Sequence, residues 1–298
     1  MIKFDNFEEV FEEAQARNLK LYEICQLIEE QNTEVSVSEI RAKVKKNLEA
    51  MESAIKEGLI SKEKSMSGMC GDDCAKLVEK YSQKGSNLFS KTYQKVLMYA
   101  LATIEQNLRM GKIVACPTAG SCGIVPAVII AISEALGADD EVKINALITA
   151  GLIGKLVSNK VALAGAVAGC QSECGVAAAM AAAALVEMYD GDNEQILNAA
   201  ALTLKNILGL VCDPVAGLVE VPCVKRNAFL AIYAVTGAEL AMAGIKSVIP
   251  IDEVVDSMQQ IGEMMSPKLK ESSEGGLATT KTGLKISECL AKKWKENL

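Results

Sequence analysis

Gly165-Ala-Val-Ala-Gly-Cys-Gln-Ser-Glu-Cys-Gly-Val-Ala-Ala-Ala-Met-Ala-Ala-Ala-Ala-Leu185 decides the fold class. From Gly175 to Met188 the residues are small and apolar on nearly every side, the pattern of a helix buried all round rather than along one stripe. Small side chains let neighbouring helices approach closely. Val142 to Leu156 reads the same way, and Ile124 to Leu136 is a third apolar helix. Further helices are predicted over Phe89–Met110, with Gly111 as the residue after its C-cap, and over Asn193–Leu210, Asn227–Ala243 and Asp252–Met265. A last amphipathic helix runs to Leu298. No stretch alternates with the period of a strand. The expected class is all-α, with loops at helix ends carrying the function.

The chain has 298 residues, enough for a sizeable core. Half are hydrophobic but only 4% aromatic, so alanine and glycine carry much of the apolar count and favour close helix packing. No Pro- or Ser-rich linker divides the chain. One domain over 1–298 is expected, within which residues 1–60 can stand as an N-terminal helical subdomain. That region is dense in Glu and Lys, with apolar positions at helical spacing. Ser36-Val-Ser-Glu39 has the form of a capping box.

The net charge of −7 and pI near 5.0, with scattered basic residues, argue against nucleic acid or an anionic membrane surface as a partner. Ile113 to Ser133 is uncharged and of membrane-spanning length. Pro117, Gly120, Gly123 and Pro126 make its first half a loop feeding a buried helix. The N-terminus leads into a charged helix rather than a signal peptide, so a cytoplasmic location is expected.

Ten cysteines in such a chain point to metal or redox chemistry rather than disulfides. Cys25 and Cys289 read as buried hydrophobic thiols. Cys170 follows a glycine break before a buried helix, where the helix dipole favours a thiolate. Cys212 and Cys223 bracket Asp213-Pro-Val-Ala-Gly217, a loop able to turn both sulfurs inward. Three thiolates on a four-iron cluster would leave one iron open as a Lewis acid. Cys174 lies one helical turn from Cys170, and spacing does not exclude it.

Two segments suit a small carboxylate. Thr118, Ala119, Gly120 and Ser121 open onto a helix start. Ser65, Ser67 and Gly68 form a small polar loop before Asp72 and Asp73. There is no histidine anywhere. A proton-transfer role within this chain would fall to other residue types, with Lys160 and Lys225 as candidates, or to another chain.

Cys116-Pro-Thr-Ala-Gly-Ser-Cys-Gly-Ile-Val-Pro126, Gly169-Cys-Gln-Ser-Glu173, Gly209-Leu-Val-Cys-Asp-Pro214, Val221-Pro-Cys-Val-Lys-Arg-Asn-Ala228 and Gly275-Gly-Leu-Ala-Thr-Thr-Lys-Thr-Gly283 together resemble the iron–sulfur-dependent L-serine dehydratases. Their order matches the α chain of the two-subunit form over roughly residues 60 to 285. The resemblance implies a [4Fe–4S] cluster on Cys170, Cys212 and Cys223, with the fourth iron facing L-serine. It implies β-elimination of water to give pyruvate and ammonia, in a hetero-oligomer with a β chain. The family's Ser-His-Thr motif belongs to that β region and is absent here. The carboxylate would go to the Pro117–Gly123 segment, and the Ser65–Gly68 loop would close the pocket. Single-chain relatives carry a C-terminal cysteine tail that can reach the open iron, whereas this chain ends in Lys292-Lys-Trp-Lys-Glu-Asn-Leu298. Two alternatives remain open: a cysteine desulfidase-type elimination on the same scaffold, and a non-catalytic cluster-binding subunit. Pyridoxal phosphate would call for an α/β setting that the helical pattern does not supply.

Overall fold

The computed structural model describes residues 4–296 apart from 84 and 86. Within them lie thirteen α-helices: α1 Phe7–Arg17, α2 Leu21–Thr33, α3 Val37–Ile60, α4 Asp73–Ser82, α5 Lys91–Leu108, α6 Ile124–Leu136, α7 Asp140–Lys160, α8 Gly165–Ala168, α9 Val176–Met188, α10 Asn193–Lys205, α11 Cys223–Met242, α12 Ile251–Met264 and α13 Lys281–Glu296. Among the described residues no strand forms, and a single isolated bridge pairs Cys212 with Lys270. The expected all-α class is the one observed. Residues 1–3 and the last two positions expected for α13, 297 and 298, lie outside the described residues.

The core is built around α9. All of its residues are buried, and seven of the thirteen are alanine, the best helix former. Helices α6, α7, α10 and α11 pack against it, and α5 closes the far side of α6 and α11. Interaxial distance depends on the side chains at the crossing, so alanines let four partners surround one helix. The apolar run Ala119–Leu136 is of membrane-spanning length, but its helical part, α6, is buried from Ile124 to Ser133 as one of these partners.

The N-terminal helices dock on this core from outside, α2 on α7 and α3 on α5 and α7. Their ends are capped as the residues suggest. The Ser36 hydroxyl accepts from Glu39 N, while Ser36 N donates to the Glu39 carboxylate at 3.1 Å. Asp252, in the first turn of α12, accepts from the amides of Phe7 and Glu8 and ties α1 to the other end of the chain.

Some boundaries differ from expectation. Helix α5 ends in a left-handed residue, but that residue is Met110 (φ 61°); Gly111 follows it and donates back to Gln106 O. Helix α10 stops at Lys205, five residues short of Leu210, so that the chain is extended where it approaches Cys212. Helix α11 starts at Cys223 rather than Asn227, which puts Cys223, Lys225 and Arg226 in its first turn. Cys25 is buried as expected, and burial pushes its thiol up to about 12. Cys289 is exposed on α13 instead.

Close packing can be tested at two glycines. A Cβ at Gly58 in α3 would collide with the backbone of Ala102 in α5, whereas a Cβ at Gly151 on the exposed side of α7 would meet nothing within 4 Å. Gly58→Ala should destabilise the fold by about 1–3 kcal/mol through overpacking. Gly151→Ala should stabilise it by about 0.5–1 kcal/mol by removing a helix-interior glycine. Denaturant unfolding of the two variants beside the parent checks the opposite signs.

Candidate metal centre

Three separate elements bring cysteines to one place. Cys170 follows α8 after Gly169, whose φ of +78° and closeness to Leu210 O leave no room for a side chain. Cys212 lies in the loop after α10, and Cys223 opens α11. Their register is set by Gln171. Its backbone N–H donates to Leu210 O at 3.1 Å, its side-chain oxygen accepts from Gly209 N at 2.9 Å, and its amide donates to Met258 O at 3.0 Å. Fully buried, this one side chain joins the Cys170 turn, the strand-like approach to Cys212, and α12.

From the outer side, the segment after α12 straps the Cys212 loop. Cys212 N donates to Leu269 O, and Cys212 O accepts from Glu271 N at 2.7 Å. Ser273 Oγ donates to Pro214 O, and Leu277 N donates to Asp213 Oδ2 at 2.8 Å. Asp213 is buried, and its other oxygen accepts from Arg226 Nη2 at 3.0 Å. Arg226 Nη1 in turn donates to Val211 O and to Cys170 Sγ at 3.2 Å. The chain of contacts from Leu277 to Asp213 to Arg226 to Cys170 holds the glycine-rich segment near the C-terminus beside the cysteines.

The neighbouring thiols of Cys174, Cys212 and Cys223, together with the Arg226 charge, draw the Cys170 pKa far below the usual thiol range against the effect of burial. The other three are pushed well above that range, chiefly by holding their protons toward Cys170 and by burial. Four sulfurs thus share one buried site. A soft cation would replace those protons, because metals take thiolates and release protons on binding.

Glu173 shares this space. Donor atoms of Cys170, Glu173 and Cys212 lie within 4.8 Å of one another. Burial, then the Cys170 thiolate, push its carboxyl up to about 7, against hydrogen bonds from Thr118 and the Gly165 amide. Gly165 forms a cradle here: a Cβ would stand 2.6 Å from Glu173 Oε2 and 2.9 Å from Cys212 Sγ.

Thr118, Ala119, Gly120 and Ser121 form a tight turn over Glu173, with the Gly120 side facing Glu173 Oε1 and Val219. Asn227 of α11 fixes the turn by donating to Gly120 O and accepting from Gly123 N. Ser121 points inward and bonds Cys116 O. The Ser65–Gly68 loop lies against a different group. Ser65 and Ser67 hydroxyls both donate to the buried Glu220 carboxylate, at 2.6 and 2.7 Å. Lys225 pairs with Asp73 at 2.6 Å and donates to Cys70 Sγ at 3.3 Å. Lys160 is held by Asp256 and Asp252 on α12 and is not brought to the thiols.

A family model described as Serine dehydratase alpha chain matches residues 16–278. The chain belongs to the serine dehydratase alpha chain family. It is 44% identical over 285 residues to a probable L-serine dehydratase alpha chain of Bacillus subtilis, covering 96% of this chain and 94% of that one. It is 42% identical over 278 residues to the L-serine dehydratase alpha chain of Peptoniphilus asaccharolyticus, covering 93% and 95%. The L-serine dehydratase of Streptomyces coelicolor is 42% identical over 196 residues, 65% of this chain but 42% of that longer protein.

Within this family fold, sequence reasoning missed Glu173, Arg226 and Asp213. The signal for two of them was available. Glu173 stands three residues after Cys170 and Arg226 three after Cys223, the spacing that puts side chains on one helical face. Asp213→Ala should cost about 3 kcal/mol, since it leaves a buried guanidinium without its carboxylate. Hydrogen exchange should show the Leu277 amide losing protection in that variant while amides of α9 keep theirs.

Proposed function

We propose that this chain is the α chain of an L-serine dehydratase, and that Cys170, Cys212 and Cys223 hold a [4Fe–4S] cluster. The observation that carries this reading is geometric: the Cys170 turn, the Cys212 loop and the start of α11 bring their buried thiols together beside Glu173. The donor set fits the group: the three donors are all sulfur and all buried. Cys174 also touches Cys170, but it packs with the hydrophobic core around α9, whereas the other three do not. It is therefore assigned to packing. When bound, a cluster with three protein ligands supplies a Lewis acid that makes hydroxide a better leaving group and the serine Cα proton more acidic.

The chain's own residues then bind and orient. The Thr118–Ser121 turn, pinned by Asn227 and placed over Glu173, is assigned to the serine carboxylate together with Ala119 and Gly120. The Ser65–Ser67–Gly68 loop is assigned to closing the pocket. Its hydroxyls act through Glu220, which accepts both and lies three residues before Cys223. Loss of water from serine yields aminoacrylate, whose imine tautomer hydrolyses to pyruvate and ammonia. No histidine is available here to take the Cα proton. Lys225 is engaged by Asp73, and Lys160 by α12. The proton acceptor is accordingly assigned to a β chain that completes the pocket in a hetero-oligomer. The same reading takes residues 1–298 as one domain of a cytoplasmic enzyme.

The experiment is anaerobic reconstitution of the α chain with its β partner, iron and sulfide. Pyruvate should form from L-serine in preference to hydrogen sulfide from L-cysteine. Single replacement of Cys170, Cys212 or Cys223 by Ser should abolish both bound iron and turnover. Cys174→Ser and Cys25→Ser should keep both. A normal iron content in any of the first three variants refutes the ligand set. An intact cluster with no pyruvate refutes the activity in favour of a non-catalytic subunit.

A further inference from the structure

Glu173 is a carboxylate without a cation. Among the described residues no lysine or arginine forms an ion pair with it. The guanidinium of the site, Arg226, is committed to Cys170, Val211 and Asp213. The groups beside it on the metal side are sulfurs, with donor atoms of Cys170 and Cys212 within 4.8 Å. Its neutral partners are the Thr118 hydroxyl and the Gly165 amide. The side chain is only partly buried, and one oxygen faces the Gly120 turn while the other faces the Gly165 cradle and the thiols. A carboxylate so placed lies between the segment assigned to the substrate carboxylate and the sulfurs assigned to the metal. A carboxyl group with no cationic side chain to meet it among the described residues is free to take a cationic group of a ligand.

We propose that Glu173 is the recognition residue for the α-ammonium of the substrate, and so selects an α-amino acid over the corresponding hydroxy acid. This rests on the L-serine reading above and deepens it. L-Serine is a zwitterion with a hydroxyl on its β-carbon. The hydroxyl belongs at the metal, and the carboxylate at the Thr118–Ser121 turn. The ammonium then needs an acceptor between the two, which is where Glu173 stands. A charge-assisted N–H···O bond there is stronger than a neutral one and cannot be reproduced by an uncharged hydroxyl. The Thr118 hydroxyl orients the carboxylate, and Gly165, with no side chain, lets its backbone come up against Glu173 Oε2, where a Cβ would collide.

The test compares two ligands that differ only at the α-substituent. L-Glycerate has the carboxylate and β-hydroxyl of L-serine, with a hydroxyl in place of the ammonium. On the anaerobically reconstituted α–β enzyme, Glu173→Gln should raise the KM for L-serine about tenfold or more, the loss of one hydrogen bond to a charged group. The inhibition constant of L-glycerate should stay level or fall. Iron content and the visible absorption of the cluster should be unchanged. Glu173→Asp, which keeps the charge, should retain the preference for the ammonium. Equal weakening of both ligands overturns the proposal, as does a fall in kcat at unchanged KM. Loss of iron in Glu173→Gln but not in Glu173→Asp overturns it as well, by making Glu173 a metal ligand. If the wild-type pair makes no pyruvate, it is the L-serine reading that fails. Calorimetric binding of L-alanine and L-lactate then decides the ammonium site separately: a preference for L-alanine that disappears in Glu173→Gln supports it, and its persistence overturns it.

Discussion

Everything in this molecule depends on how closely helices can approach α9. A helix buried on all sides has no face left for polar groups, and its neighbours compete for the same small perimeter. Seven alanines settle that competition by keeping the perimeter thin. The four helices packed on α9 are then held at fixed angles, and their ends are fixed with them. Two of those ends carry the chemistry: the wide turn Gln171–Gly175 that leads into α9, and the first turn of α11. Close packing in the core therefore becomes precision at the cysteines, because a thiol on a helix end cannot move without moving the helix.

The second constraint is polar. Burying a thiolate, a guanidinium and two carboxylates in one region is costly unless each finds a partner. The structure meets it by chaining them. Arg226 serves Cys170 and Asp213 together, and Asp213 also accepts from the Leu277 amide. Gln171 uses its backbone N–H, its oxygen and its amide on three different segments. Such a network leaves few alternative arrangements, so it orients the donors before any metal arrives. Glu173 is the exception, a carboxyl group with no ion-pair partner among the described residues.

The fold class and the buried helices were legible in the sequence because each is a local signal, whereas the set Cys170, Cys212 and Cys223 came from a family resemblance, spacing alone leaving Cys174 open. Helical periodicity and glycine or proline breaks are read within about ten residues. What was not legible depends on pairing across the chain. Ser65 and Ser67 looked like free hydroxyls for a ligand, yet their partner is Glu220, about 155 residues away. Asp213 looked like a turn residue until Leu277 and Arg226 were found on either side of it. Glu173 and Arg226 were given no role from the sequence. Charged residues are usually solvated, so only their burial beside sulfur distinguishes them. The displaced start of α11 has the same origin, since Pro222 precedes the helix and the apolar pattern strengthens only after Asn227.

The strap formed by Ser266–Thr280 adds a further step. Cys212 is not covered by its own neighbours but by a segment more than fifty residues downstream, which bonds its N–H and its C=O in turn. Helix α10 ends early to leave this backbone free for that pairing. Unlike Cys170 and Cys223, whose positions follow from helices packed on α9, Cys212 takes its place only when α12 and the strap are docked. Asp213 makes that docking electrostatically dependent on Arg226, and Arg226 is anchored to the thiolate at Cys170. The donor site and the C-terminal segment thus form as one cooperative unit. A thiol set assembled in this way is buried by the packing of both, with Glu173 and the Thr118–Ser121 turn beside it.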